Sequence, residues 1–472
     1  MLTLSSRLAN AIVPLTAAHP GLAGLVALDE GGDAFAARIQ LADAAEHQID
    51  AQYYIWHQDN AGTLLLQALL RAADRGVKVR LLLDDNNTDG LDDVLAALNT
   101  HHCIEVRVFN PFRWRRLRWL GLIADFTRLN RRMHNKSFSV DGVATIVGGR
   151  NIGDEYFGTG DGVQFIDLDV FAIGPVVDDV TADFERYWHS APAQRLARVL
   201  GTHRVGPEAL ARIADSRRAV AQSEVMLRPR CVTDLLCGCI DFEWAETRLI
   251  SDDPAKVLGH AGRHGLVWPK LREILGSPKR DLHVVSPYFV PTAAGVAFFA
   301  GLVRQGVRVA VLTNSLEATD VSPVHAGYAK HRVPLLRAGI ALFELRRLIA
   351  LPRTRRRRTR IRSSASLHAK TFAIDGERVF IGSFNFDPRS ARLNTEMGLM
   401  IESTAMARAC SAGFGDHGPG GSYAVRLDAA NHLRWHIRDD DGEHDYRTEP
   451  GTSWWRRAGV RLLSWLPIEH LL

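Results

Sequence analysis

The order of apolar and polar positions repeats along this chain. HQIDAQYYIW (47–56) reads as a strand, and LLLQALLRAADRGVKVRLLLDDNN (64–87) as a helix running into a second strand. DLHVVSPYFV (281–290) and GVAFFAGLVRQGVRVAVLTNS (295–315) give the same series again. Each helix closes near a glycine, Gly76 or Gly306, as a helix stop should. Strands alternating with helices predict an α/β fold with mixed sheets covered on both faces. At 472 residues the chain exceeds a usual single core. The expected division is 22–195 for one unit, a mostly helical connector rich in Ala and Arg over 196–240, a second unit over 241–425, and a C-terminal extension over 426–472. The polar, glycine-containing stretches GDHGPGGSY and DDDGEHDYRTEPG mark that extension.

Each unit then carries one hairpin pattern, His-x-Lys-x4-Asp-x6-Gly-[Gly/Ser]-x-Asn. The first copy is His134, Lys136, Asp141, Gly148, Gly149 and Asn151; the second is His368, Lys370, Asp375, Gly382, Ser383 and Asn385. Asp-Gly between apolar runs predicts a tight primed turn, which needs φ > 0. Side chains two apart on a strand share a face, so His and Lys should point the same way in each copy. The return strand ends in a small pair and an Asn that can come back beside the His. One copy thus offers an imidazole, an ammonium and a carboxamide on one surface. A neutral-pH base and charge-stabilising groups, present twice, suit displacement on a phosphodiester. Asp141 and Asp375 fall at the turns, where turn chemistry and backbone capping explain them.

These segments resemble the paired HKD motifs of the phospholipase D superfamily. SPYFVP, LTNSLEATDV with HAGY following, GGRNIGDEYF, GSFNFDPRS and SWLPIEHLL extend the likeness over nearly the whole chain, toward bacterial cardiolipin synthases and closest to their type C branch. The resemblance implies two tandem α/β/α domains related by a pseudo-two-fold axis, with one shared active site. One His would attack phosphorus and become a phosphohistidine while the other protonates the leaving alcohol; His134 is favoured as nucleophile. Lys136, Lys370, Asn151 and Asn385 would stabilise the non-bridging oxygens. An acidic residue is expected to hydrogen-bond the His of its own half: Asp167 for His134, with Asp169 as rival, and Glu396 for His368. The activity implied is transfer of a phosphatidyl group, from phosphatidylethanolamine or phosphatidylglycerol, to phosphatidylglycerol. A phospholipase D-type hydrolase is the alternative, and a nucleic-acid phosphodiesterase the more distant one.

Composition is ordinary for a globular enzyme, with 46% hydrophobic and 24% charged residues and a formal net charge of +5. Five cysteines (Cys103, Cys231, Cys237, Cys239, Cys410) lack zinc spacing and read as mostly buried thiols of a reducing compartment. No metal and no cofactor are expected. The apolar N-terminus is broken by Arg7, Asn10, Pro14, His19 and Pro20, so neither a membrane span nor a signal peptide is expected.

Three basic segments bear on partners. Arg113–Trp119 brings Trp114 and Trp119 just ahead of the first motif, and the Arg353–Arg362 run brings Arg355, Arg356, Arg357 and Arg358 ahead of the second. In the tail, Trp454, Trp455, Ala458, Leu462, Trp465 and Leu466 fall on one helical face and Arg456, Arg457, Arg461 and Ser464 on the other, with Val460 out of place. Trp on an apolar face opposite Arg is the composition of an interfacial helix. The expected partners are phospholipid substrates and an anionic membrane surface, not nucleic acid. The expected location is the bacterial cell membrane, held peripherally.

Overall fold

The apolar runs become the central strands of two mixed sheets in the computed structural model, which describes residues 5–160, 162–201, 205, 231–349, 364–415, 418–439, 442–466 and 469. In chain order the strands are β1 (Ala23–Leu28), β2 (Gln48–Ile55), β3 (Lys78–Asn87), β4 (Ile104–Phe109), β5 (Ser137–Val140), β6 (Ala144–Gly148), β7 (Val163–Ile166), β8 (Asp169–Ile173), β9 (Ala193–Arg195) and β10 (Glu243–Ala245). They continue as β11 (Thr247–Ser251), β12 (Asp281–Val285), β13 (Arg308–Asn314), β14 (Ala341–Leu345), β15 (Leu348–Ile349), β16 (Ser364–Leu367), β17 (Thr371–Ile374), β18 (Arg378–Gly382), β19 (Met397–Ile401), β20 (Ser422–Leu427), β21 (Leu433–Asp439) and β22 (Gly442–Tyr446).

The duplication is visible as strand order. The first sheet contains β1-β8-β6-β5-β2-β3-β4 and the second β11-β19-β18-β17-β12-β13-β14. In each, three parallel strands adjoin an antiparallel hairpin, β5–β6 or β17–β18. The helix Asn60–Asp74 buries the apolar face that its spacing predicts against the first sheet, and the helix Gly31–Ala44, buried nearly all round, joins it in one core with Leu65, Leu69, Val79 and Phe138. The N-terminal helix Arg7–Ala17 joins it through Leu8, Ala9 and Ile12. The second unit has its own core around Phe299, Leu282 and Phe372. A third core, with Val147 and Val170 from one unit and Ile381 and Leu399 from the other, joins the two. No helix among the described residues is long and apolar enough to cross a membrane.

Two details differ from the expected division. β10 pairs with β1, so 243–245 belongs to the first sheet, and the chain changes sheets at Glu246. β20 pairs with β14 and leads through β21 to β22, so the stretch after 425 continues the second sheet. Cysteines are also more open than expected. Cys237 and Cys239 are exposed, and Cys103 and Cys410 are half-buried free thiols.

Both hairpin turns are the primed type that Asp-Gly demands. Asp141 and Gly142 have φ of 51° and 67°, Asp375 and Gly376 55° and 62°. The Asp375 carboxylate accepts from the backbone N–H groups of Lys279, Arg280 and Asp281, at 2.7 to 3.1 Å. Asp141 does the same for Glu46, His47 and Gln48. Each aspartate thus ties its hairpin to the start of the neighbouring strand. Burial would raise Asp375, yet these donors hold it below the usual carboxylate range. Asp375→Ala is therefore expected to lower stability by about 2 kcal/mol while leaving the site geometry intact. Thermal melting alongside turnover checks this; an unchanged melting temperature with lost turnover would place Asp375 in the chemistry instead.

Candidate functional site

The motif His and Lys do not lie on the hairpin strands. β5 begins at Ser137 and β17 at Thr371, and each His–Lys pair sits in the extended segment just ahead. That segment is held by the opposite half. His134 N donates to Thr395 O and Thr395 N to Arg132 O, both at 2.9 Å. In the other half β16 runs parallel to β7, and the N–H groups of His368 and Ala369 both donate to Ile166 O, at 2.8 and 2.9 Å.

This exchange of strands crosses the histidine partners. His134 Nδ1 lies 2.8 Å from Glu396 Oε2, and His368 Nδ1 lies 2.5 Å from Asp167 Oδ2. The expected pairing within each half is thereby corrected: Asp167 serves the second-half His and Glu396 the first-half one. Asp169 is no rival for either, because its carboxylate binds Arg38 at 2.8 Å and receives Arg150 N at 3.1 Å. With each Nδ1 engaged by a carboxylate, Nε2 is the nitrogen left for chemistry on both rings.

The remaining motif residues close around the pair. Lys136 Nζ donates to His134 O at 2.6 Å, and Lys370 Nζ to His368 O. Asn151 Oδ1 accepts from Ile55 N and its Nδ2 donates to Tyr156 Oη. Asn385 is buried with its Oδ1 unpaired, as is Glu396 Oε1. The small pairs of the motif are needed for close approach. A Cβ on Gly148 would stand 2.1 Å from Asp169 Oδ1, one on Gly149 2.1 Å from Asp167 Oδ1, and one on Gly382 2.4 Å from Met397 O. Ser383 occupies the place of Gly149, and its hydroxyl donates to Glu396 Oε2.

Burial sets the electrostatics. It pushes His134 well below its ordinary value, with Lys136 adding to the effect. It also lowers His368, but there Asp167 pulls the other way. Burial would raise Asp167, yet His368 and Lys370 outweigh it and hold the carboxylate well below the usual range. Glu396 is pushed up to about 7 by burial. Lys136 falls well below the ordinary lysine value and Lys370 falls to about 8, both chiefly through desolvation.

The aromatic walls were not singled out in the sequence. Tyr54 packs edge-on against His134 with centroids 4.9 Å apart, and Tyr156 and Phe165 flank His368 at 5.2 and 5.0 Å. Tyr288 Oη donates to Asp320 at 2.7 Å. The repeat held a signal for two of these: Tyr54 lies at the end of β2 and Tyr288 just past β12, the first parallel strand of each unit. A cavity of about 620 Å³ beside this wall is lined by Glu155, Phe165, Thr319, Asp320, Ser366 and Arg456 among others. Among the described residues, His57, Asp59 and Glu155 bring ligand atoms within 4.8 Å of one another, as do His101, His102 and Cys103. Neither group includes a motif residue.

The expected membrane residues divide. Trp114 and Trp119 are exposed, joined by Leu117, Ile123 and Phe126. The nearby arginines are less free than expected, since Arg115 binds Asp85 and Asp92 and Arg118 donates to Asp85 O. Arg355, Arg356, Arg357 and Arg358 lie outside the described residues. In the tail helix Trp454–Leu463 the misfit Val460 is the anchor, buried against Leu316 and Ala326. Arg456 and Arg457 bond to Thr319 O and Thr452 O, which turns them toward the protein. Trp454, Trp455 and Trp465 face outward, 74%, 64% and 75% exposed.

Known proteins resemble the chain throughout. Residues 39–188 and 271–417 match the family described as cardiolipin synthase, PLD-like domain. The chain is 52% identical to Cardiolipin synthase C of Escherichia coli (strain K12), over 99% of this chain and 100% of that protein. It is 26% identical to Cardiolipin synthase A of Pseudomonas entomophila, over 80% of this chain and 65% of that one. Among solved structures, the phosphatidylserine synthase of Haemophilus influenzae aligns with a TM-score of 0.56 at 14% identity, covering 89% and 92% of the two chains, which shows a common fold.

One titration follows from the buried lysines. Lys370 is charged below its lowered value of about 8 and neutral above it. An anionic phosphate should therefore bind the free enzyme less well as pH rises through that value. A kcat/KM profile should decline there, and Lys370→Arg, which keeps its charge, should move the decline upward. A flat profile to about pH 10, where an ordinary lysine titrates, would overturn this.

Proposed function

The chain belongs to the cardiolipin synthase family of phospholipase D-like proteins, and from that premise we propose that it is a phosphatidyltransferase acting through a phosphohistidine, with phosphatidylglycerol as acceptor. The observation that carries the chemistry is the pair of crossed His–carboxylate contacts, 2.8 and 2.5 Å long, each leaving one Nε2 free. Two such nitrogens divide a displacement at phosphorus into two steps. In the first, His134 Nε2 forms a bond to phosphorus, the bond to the leaving alcohol breaks, and His368 Nε2 gives that alcohol its proton. In the second, His368 takes a proton from a glycerol hydroxyl of phosphatidylglycerol, the new oxygen–phosphorus bond forms, and the bond to His134 breaks. Lys136, Lys370, Asn151 and Asn385 would hold the non-bridging oxygens.

The environments of the two histidines favour these roles. Asp167 stays ionised and supports a protonated His368, the form a general acid needs. Glu396 is raised to about 7 and shares Oε2 with Ser383, which leaves His134 the more readily neutral ring, the form a nucleophile needs. The donor is proposed to be phosphatidylethanolamine or phosphatidylglycerol. Outward-facing Trp114, Trp119, Trp454, Trp455 and Trp465 support peripheral attachment to a bacterial membrane.

Incubation with phosphatidylglycerol vesicles, followed by lipid mass spectrometry, should yield cardiolipin, with phosphatidylethanolamine as a second donor to test. Phosphatidic acid alone would indicate a hydrolase instead. Activity is expected to persist in EDTA, and loss on chelation with recovery on adding a metal would sink the metal-free mechanism. His134→Ala and His368→Ala should each abolish turnover, with the double variant little worse, because a catalytic unit is not additive. Labelled phosphate trapped on His368 rather than His134 would reverse the roles.

A further inference from the structure

The tail helix stands as a wall between two depressions. On one side Arg456 reaches the cavity beside the catalytic aromatics. On the other lies a groove of about 970 Å³, bounded by the tail helix, the helix Arg332–Arg337 and residues of β21. Lys330, Arg332, Arg434, Arg447, Arg457 and Arg461 line it, against one lining carboxylate, Glu449.

That carboxylate is already occupied, with Arg332 at 2.6 Å and His325 at 3.2 Å. Lys330 is paired with Glu469 and Arg434 with Asp428. The guanidinium groups of Arg447 and Arg461 form no hydrogen bond or ion pair with a described residue. The groove therefore holds positive charge that no described residue neutralises. Its lip is Trp454, 74% exposed, with Trp455 exposed on the same short helix and Trp465 exposed just past its end. Unpaired arginines behind a tryptophan lip suit a ligand that is anionic at one end and rooted in an apolar medium. A free anion would have no use for the lip, and an apolar protein face none for the charge.

We propose that this groove seats the phosphate of an anionic phospholipid headgroup in the bilayer, a lipid that stays bound and does not react. The proposal rests on the reading above that the protein works on phospholipids at a membrane. The seat is separate from the reacting phosphate, because no motif residue lines the groove and it shares no lining residue with the cavity beside the aromatics. It would give the enzyme a preference for anionic membranes independent of its substrate specificity.

The test uses the full-length protein with Arg447→Glu and Arg461→Glu combined. Co-sedimentation is measured on vesicles of phosphatidylcholine with and without phosphatidylglycerol, and turnover on a short-chain phospholipid dissolved as monomers. Reversing two charges at an anionic surface should weaken binding to the phosphatidylglycerol vesicles about tenfold or more. Binding to phosphatidylcholine alone and turnover of the dissolved substrate should not change. Arg447→Lys with Arg461→Lys should bind like the native protein. Unchanged binding by the Glu variant, or equal loss on both vesicle types, overturns the groove as a headgroup site. Absence of turnover by the native protein on any phospholipid would count against the enzymatic reading and leave the vesicle result standing. If the double Glu variant melts early, Arg461→Gln alone, on the exposed helix face, repeats the comparison.

Discussion

The site depends on the exchange of backbone between halves. Residues 132–134 bond to Thr395, and β16 bonds to β7, so each motif imidazole is held by an extended segment that belongs to the other unit. The same exchange delivers the carboxylates. Glu396 directly follows Thr395, and Asp167 directly follows the last residue of β7. A histidine and its orienting acid are thus fixed by one set of hydrogen bonds, and no loop needs to bring them together. The joint core of Val147, Val170, Ile381 and Leu399 stabilises that exchange by burying apolar surface from both sheets.

The duplicated frame was open to reading because it rests on local rules. Apolar runs gave β2, β3, β12 and β13, and Asp-Gly gave turns whose two residues both have positive φ. The motif residues and the small pairs were identifiable by offset, and the acids 167 and 396 through the family resemblance. What offset could not supply was partnership. Glu396 is 262 residues from His134, and Asp167 is 201 from His368. No periodicity spans such distances, and an internal repeat invites pairing within each copy. Val460 misled for a related reason. A helical wheel separates apolar from charged positions but does not say which face meets the protein. Here one valine docks, and the three tryptophans remain outside.

Burial gives the site its receptive character. Two lysines and two histidines are enclosed, and although Asp167, Asp169, Asp320, Asp387 and Glu396 favour the charged lysines, desolvation lowers all four bases. Such cations are costly to bury unless something negative completes the set. A phosphodiester would bring that charge, so such a substrate and the buried cations would stabilise each other. The motif aspartates add nothing to this balance. They lie at the far end of their hairpins, bonded to backbone N–H groups where β2 and β12 begin.

The crossed arrangement also orders events during synthesis. Domains emerging from a ribosome tend to fold from the N-terminus. The first sheet can form early, because among the described residues its strands end at Ala245. Yet His134 has no carboxylate until Glu396 has been made, and Asp167 waits for His368. A nascent chain can therefore be largely folded on one side and still be chemically silent. The pair of His134 is completed last, because Glu396 lies beyond His368 in the chain.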